Sequence, residues 1–439
     1  MSSKTHSSKI GLSTATCIII ANMIGTGVFT SLGFQVVDLQ SGFTLLLLWL
    51  VGGIFAICGA LSYSELGAAM PHSGGEYYYL SRIYHPAVGF LSGWVSVTVG
   101  FAAPIAAAAM ALGAYFSSVF PIVSPRAIAL VVVIGVSLIH TRNLRLGSYF
   151  QQSFTVLKVL LILILIGCGL FLANSQGLEF LPSGEDINLI FSSPFAISLI
   201  YVTYSYSGWN AAVYLASEVE EPEKNIPRSL IGGTAIVIGL YLLLNFIFLY
   251  STPLDSLAGE VEVGYIAAGQ IFGTSGAKIM GILISFGLIS SISSMVLAGP
   301  RVTQVIGQDI PLFKVLAKKN INGIPYYAIL LQLAIVIVLL ITSSFDRVIT
   351  YLGFTLTLSS FITVLGVFVY RFRYPNAKRP YKTWGYPFTP LVFLGISLWM
   401  LVFILMDKPI ESLAGIATLV VGLIVYFVAM KNKEALRPL

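Results

Sequence analysis

Charged residues make up only 10% of this 439-residue sequence, against about 25% in a typical soluble domain. That shortage excludes an ordinary water-soluble globule, and the 57% share of hydrophobic residues points to an all-α polytopic membrane protein. Cysteine is nearly absent: Cys17, Cys58 and Cys168 all fall inside apolar segments, which argues against a disulfide framework or a metal site. His6, His72, His85 and His140 are scattered near segment ends. No phosphate-binding loop, nucleophile motif or in-span cluster of acids stands out, so neither an enzyme activity nor a cofactor is expected. The polar stretch Met1–Lys9 lacks a cleavable-signal pattern, and the first apolar segment is therefore expected to be a mature span.

Long apolar runs are what the sequence has. Twelve are counted, at about 12–37, 42–70, 86–120, 124–141, 149–173, 191–217, 228–252, 275–305, 325–343, 347–370, 387–406 and 410–430, each long enough to cross a bilayer. With a cytoplasmic N-terminus, 19 of the 24 lysines and arginines fall on the inside, Lys4, Arg145, Lys433 and Arg437 among them. Only Arg126, Lys278, Arg347 and Lys408 fall outside. This asymmetry predicts that both termini are cytoplasmic. It also accounts for the net charge of +6 without a nucleic-acid partner, and anionic membrane lipids favour it further. The expected organisation is a cytoplasmic tail (1–11), five spans (12–173), five more (191–370), two C-terminal spans (387–430) and a second tail (431–439). In the external connection 253–274, the stretch Val263 to Ile271 is expected to form a short helix over the outer mouth. The polar inner stretch Arg371 to Trp384 links the first ten spans to the last two.

Two spans carry residues that a plain anchor would avoid. The first holds Ile24-Gly25-Thr26-Gly27 in its middle. Glycine weakens a helix by about 1 kcal/mol relative to alanine and lets backbone approach a ligand. The sixth holds Tyr204-Ser205-Tyr206-Ser207-Gly208-Trp209-Asn210. Non-helical backbone at membrane depth survives only inside protein or beside a cavity. Interrupted segments in corresponding positions of two halves point to a transporter's binding site, and because five is odd the two halves are inverted. Half-helix N-termini suit a carboxylate and half-helix C-termini suit an ammonium. Together they fit an α-amino acid, with Gly25 to Gly27 taking its carboxylate and Tyr204 to Ser207 its ammonium. The competing explanations are small-residue helix packing for the glycines and ordinary aromatic packing for the tyrosines and Trp209.

These residues resemble the amino acid–polyamine–organocation (APC) transporters over nearly the whole chain. The resemblance also rests on Tyr63-Ser64-Glu65-Leu66-Gly67-Ala68-Ala69-Met70-Pro71-His72-Ser73-Gly74-Gly75-Glu76-Tyr77, on Ser207-Gly208-Trp209 followed by Glu218, Pro222, Asn225, Ile226, Pro227 and Arg228, and on Arg379-Pro380-Tyr381-Lys382-Thr383-Trp384-Gly385-Tyr386-Pro387. It implies a LeuT-type 5+5 inverted repeat with broken helices 1 and 6, substrate held between spans one and six, and flanking spans three, eight and ten. The sixth-span motif is also similar to the light subunits of heteromeric amino acid transporters, which pair with a single-span glycoprotein. No partner of that kind is visible in the sequence, and the chain is expected to work alone.

Lys158 is the one basic residue deep within a span, and such a charge is a functional candidate by default. In similar proteins a lysine here occupies the place of a sodium ion and reaches the broken first span. Two mechanisms follow: Lys158 gains and loses a proton during the cycle, giving proton symport, or it stays charged as a fixed substitute for sodium in an exchanger. Sodium coupling is disfavoured under both. Ser291 and Ser294 are expected to complete this site by hydrogen bonding. Glu65 is expected to be a structural partner of loop backbone or an arginine. The pocket holds no carboxylate, since Asn210 stands where relatives for cationic substrates often carry Glu. Phe101 and Tyr204 flank an apolar cavity, and the alanine-rich third span reads as tight helix packing. The expectation is a sodium-independent, proton-coupled carrier of neutral L-amino acids in the cell membrane. Exchange on the same site, or a non-transporting amino acid sensor, is the alternative.

Overall fold

The computed structural model describes residues 9–142, 145–321 and 323–435, apart from the side chains of 145–153, 155 and 432–435. The predicted tail ends 1–8 and 436–439, with Lys4, His6 and Arg437, and the side chains of Arg145 and Lys433 lie outside the described residues. Apart from one bridge between Ile10 and Val219, every regular element among the described residues is helical.

In chain order the helices are α1 (Leu12–Met23), α2 (Gly27–Gln35), α3 (Gly42–Ala69), α4 (Glu76–Ile83), α5 (Pro86–Val95), α6 (Ala102–Val119), α7 (Pro125–His140), α8 (Arg145–Leu172) and α9 (Asp186–Ile190). There follow α10 (Ser193–Tyr206), α11 (Pro222–Ser251), α12 (Leu254–Leu257), α13 (Val263–Asp309), α14 (Tyr326–Thr342), α15 (Phe345–Arg373), α16 (Phe388–Asp407) and α17 (Pro409–Ala435). A π-helical turn, Ser96–Gly100, joins α5 to α6, and a 3-10 helix, Ala211–Glu218, follows α10.

Eight helical stretches among the described residues are long and apolar enough to cross a membrane, and Pro125–His140, Val156–Leu172 and Tyr326–Thr342 are shorter apolar helices. Each predicted apolar segment coincides with one of these or with α10 and its 3-10 extension. The molecule is thus a multi-pass membrane protein. Proline at the first turn starts α5, α7, α10 and α11, where its missing N–H leaves no helical bond unmade. At α11 this moves the start to Pro222, six residues before the predicted 228.

Small residues set the packing. α6 is buried along its alanine face, from Ala102 and Ala103 through Ala106, Ala107, Ala108, Ala109 and Ala111. The predicted short helix Val263 to Ile271 is present as the first part of α13, turned from the rest by Gly273 at φ 72°. This connection is fastened to α2: Gly259 N–H donates to Gly33 O at 2.8 Å, and a Cβ on Gly33 would stand 1.9 Å from the Glu260 carbonyl oxygen.

Glu65 is fully buried at the end of α3. Arg371 grips it with Nε and Nη2 at 2.8 and 2.6 Å, and the Thr383 N–H donates at 2.7 Å. The guanidinium itself lies 3.6 Å from the Tyr386 ring centre. Glu65 therefore has the arginine and loop-backbone partners expected of it, and it ties α3 to α15 and to the polar 371–387 stretch.

Candidate functional site

Helix α1 ends at Met23 because Gly25 and Gly27 remove the side chains that would favour its continuation. The ending frees the carbonyls of its last turn, and side chains reach in to cap them. Tyr241 Oη donates to Met23 O at 2.7 Å, and Lys158 Nζ donates to Ile24 O at 3.0 Å. Lys158 also donates to Ser291 Oγ at 2.7 Å. It is only 6% exposed, so it does not snorkel to a membrane surface. Its aliphatic stem runs past Gly287, where a Cβ would stand 3.3 Å from Lys158 Cγ. A small pocket adjoins the break, lined by Gly25, Phe29, Lys158, Ile284, Gly287 and Leu288. At Gly25 a Cβ would meet nothing closer than Met23 O at 3.9 Å, which leaves that backbone face bare.

The new helix α2 starts at Gly27, and Phe29 N–H is the first to bond back, to Thr26 O at 3.0 Å. Gly25 N–H bonds back to Met23 O at 2.8 Å, and the N–H groups of α2 ahead of Phe29 lack an acceptor one turn earlier, as at any helix start. Opposite lies the end of α10. Ser207 carries ψ 149° and Gly208 carries φ +100°, so the chain turns out of the helix there. Only glycine adopts that φ without strain, and a Cβ on Gly208 would also press on Asn22 O at 2.9 Å.

The two breaks are joined directly. Thr26 Oγ1 and Tyr204 Oη share a hydrogen bond of 2.5 Å, and Ser31 Oγ and Ser205 Oγ one of 2.9 Å. Gly27 has no Cβ because Ser205 Cα would stand 2.5 Å from it. Thus Ile24, Gly25, Thr26, Gly27, Tyr204, Ser205, Lys158 and Ser291 form one connected group, with Ser207 and Gly208 closing the second break. Helix ends of opposite polarity meet there: the N–H end of α2 and the C=O end of α10, where Tyr204 O takes the Ser207 N–H at 3.0 Å.

Other predicted residues are not brought to this group. Tyr206 is fully buried, donates to Trp49 O at 3.3 Å and packs on Tyr241. Trp209 packs edge-on to Tyr63, ring centres 4.7 Å apart, and fills the space beside Gly59. Asn210 turns its Nδ2 to Glu76 Oε1 at 3.3 Å. Ser294 bonds only along its own helix, to Ser291 O at 2.8 Å. Phe101 sits at the joint between the π-helical turn and α6, its Cβ against Gly299 of α13.

Sequence reading missed Ser31 and Tyr241. Ser31 lies four residues after Gly27, on the same face of α2, and that spacing is a usable signal. Tyr241 carried no signal beyond a hydroxyl deep in an apolar run.

A family model described as amino acid permease matches residues 10–430. The chain is 27% identical to the serine/threonine exchanger SteT of Bacillus subtilis (strain 168), over 97% of this chain and 98% of that one. It is 28% identical to the b(0,+)-type amino acid transporter 1 of Mus musculus, over 97% of this chain and 88% of the relative. It is 27% identical to the large neutral amino acids transporter small subunit 2 of Homo sapiens, over 96% and 80% respectively.

Proposed function

The chain belongs to the amino acid permease family, and from that premise we propose that it is a secondary active carrier of neutral L-amino acids working by alternating access. In this reading spans one to five and six to ten form a LeuT-type inverted pair, with both termini cytoplasmic and the protein in the cell membrane. The observation that carries the reading is the meeting of the two interrupted helices at Thr26–Tyr204 and Ser31–Ser205. There the N–H groups of Gly25 to Gly27, the first of them released from Met23 O, take the substrate carboxylate, and the carbonyls at the end of α10 take its ammonium. Tyr204 covers the site. The absence of a carboxylate from this group favours a neutral side chain on the substrate.

Lys158 supplies the coupling. Its ammonium holds the Ile24 carbonyl and the Ser291 hydroxyl, where a sodium ion would meet a like charge. Losing its proton would weaken that hold and let α1 and α2 change their relation, which makes Lys158 the proton site of a symporter. A second reading, exchange with Lys158 permanently charged, is favoured by the likeness to SteT, whose name states a serine/threonine exchanger. In this reading the carrier works without a partner chain.

Uptake of labelled neutral amino acids into liposomes tests this, with and without an inward proton gradient, for wild type, Lys158→Ala and Ser291→Ala. Symport predicts gradient-driven accumulation, reduced about tenfold or more in Lys158→Ala and less in Ser291→Ala; each tenfold corresponds to about 1.4 kcal/mol. Uptake that requires internal amino acid and ignores the gradient selects exchange. Absence of any amino acid flux from wild type removes the carrier reading.

A further inference from the structure

The glycine pair of Ser73-Gly74-Gly75-Glu76 has a purpose that the substrate site does not use. Gly74 and Gly75 take φ +116° and +52°, and a Cβ on Gly75 would stand 2.7 Å from the Tyr214 ring. This turn drives Glu76, the first residue of α4, into the protein, where it is 7% exposed. Its carboxylate meets hydrogen-bond donors from separate elements. Tyr63 Oη of α3 donates to Oε1 at 2.6 Å, and Asn210 Nδ2, inside the sixth-span interruption, donates to the same oxygen at 3.3 Å. Ser92 Oγ of α5 and Ser359 Oγ of α15 donate to Oε2 at 3.3 and 2.8 Å.

All of these donors are neutral. The titratable groups facing Glu76 are Tyr63 from α3, Tyr214 from the 3-10 helix and Tyr79 from α4 itself. Ser92 of α5 and Ser359 of α15 add no charge, and no lysine, arginine or histidine pairs with the carboxylate among the described residues. A buried charge without a counter-charge is costly, yet an ionised carboxylate accepts up to four bonds and here receives them. Burial pushes the Glu76 carboxyl above its ordinary range, and the bonds from Tyr63, Ser359, Ser92 and Asn210 pull against that rise. A protonated carboxyl must itself donate, so one donor has to turn away, and the others lose the strength that charge gave them.

We infer that Glu76 is a proton-operated latch: ionised, it holds the sixth-span interruption to α3, α5 and α15, and proton uptake from solvent releases them. Asn210 cannot move relative to Ser92 or Ser359 without stretching a bond to this carboxylate. A carrier that hinges at Ser207–Asn210 must therefore loosen the latch on each cycle. The inference rests on the carrier reading above, and it adds a second protonation site distinct from Lys158.

The test is amino acid counterflow at equal internal and external pH, scanned from roughly pH 5 to 8, in liposomes holding wild type, Glu76→Gln and Ser359→Ala. The wild-type rate is expected to rise as pH falls through the titration of Glu76. Glu76→Gln mimics the released form, so it should run at the acid rate throughout and exceed wild type about fivefold at the alkaline end, the difference between charged and neutral bonds. A faster variant cannot be a misfolded one. Ser359→Ala removes a donor from the ionised form and should move the wild-type limb to higher pH. If Glu76→Gln keeps the wild-type pH limb unchanged, or Ser359→Ala moves the limb to lower pH, the latch is wrong though the carrier stands. No wild-type counterflow at any pH overturns the carrier reading itself.

Discussion

Glu65 near the end of α3 and Glu76 at the start of α4 are both buried carboxylates that tie several helices together, and they differ in what they are tied with. Glu65 meets the bidentate guanidinium of Arg371, a backbone N–H and, at 3.7 Å, Arg379. Glu76 meets hydroxyls and one amide. A fork of guanidinium bonds fixes both the charge and the geometry. Neutral donors accept either protonation state at modest difference in energy. The same residue type thus makes a rivet in one place and a switch in the other, and the choice lies in the partners.

The comparison breaks most sharply if Glu65 is deprived of its partner. Arg371→Ala should lower stability by about 3 kcal/mol, because it leaves the buried Glu65 charge with only Arg379 at 3.7 Å and the Thr383 N–H. Thermal unfolding of purified protein reads this, and a loss below about 1 kcal/mol would mean the pair is not the rivet described. An intermediate effect is expected at the turn that inserts Glu76. Gly75→Ala should cost about 1–3 kcal/mol from backbone strain, and more than Gly74→Ala, because only at Gly75 does the new Cβ also meet the Tyr214 ring. Equal losses in the two variants would show that Tyr214 gives way freely. The smallest effect belongs to Ser92→Ala. Its bond of 3.3 Å supports only the ionised form of Glu76, so the counterflow limb should move to higher pH by about half a unit or less, from roughly 0.5 kcal/mol. A downward movement would contradict the assigned donor.

Much of this was legible in the residues. Glycines in the middle of apolar runs marked both breaks, and Lys158 was conspicuous as a lone charge, its reach toward the first break being implied by the family resemblance. Glu65, a charge near the inner end of the second span, suggested loop backbone or an arginine as its partner. What stayed hidden was facing. α10 runs on to Tyr206 before the chain turns out at Ser207, and nothing in the sequence tells that Tyr206 and Trp209 turn into packing while Ser205 turns to Ser31. Ser291 and Ser294 share a helix face by spacing, yet Ser294 turns its hydroxyl onto the backbone. Glu76 was visible only as part of a family signature, because its donors come from positions 63, 92, 210 and 359, and contacts of that range leave no periodic trace.

Lys158 has a further consequence as a cap on the Ile24 carbonyl. An ion that fills such a place must be collected from solution on every turn, and its occupancy follows its abundance outside. A side chain has no abundance. Held on its own backbone, it stands at an effective concentration fixed by geometry, and it can be neither diluted nor exhausted. While the Lys158 amine is protonated, the first break therefore carries its own attached cap and draws no ion from solution to fill that place.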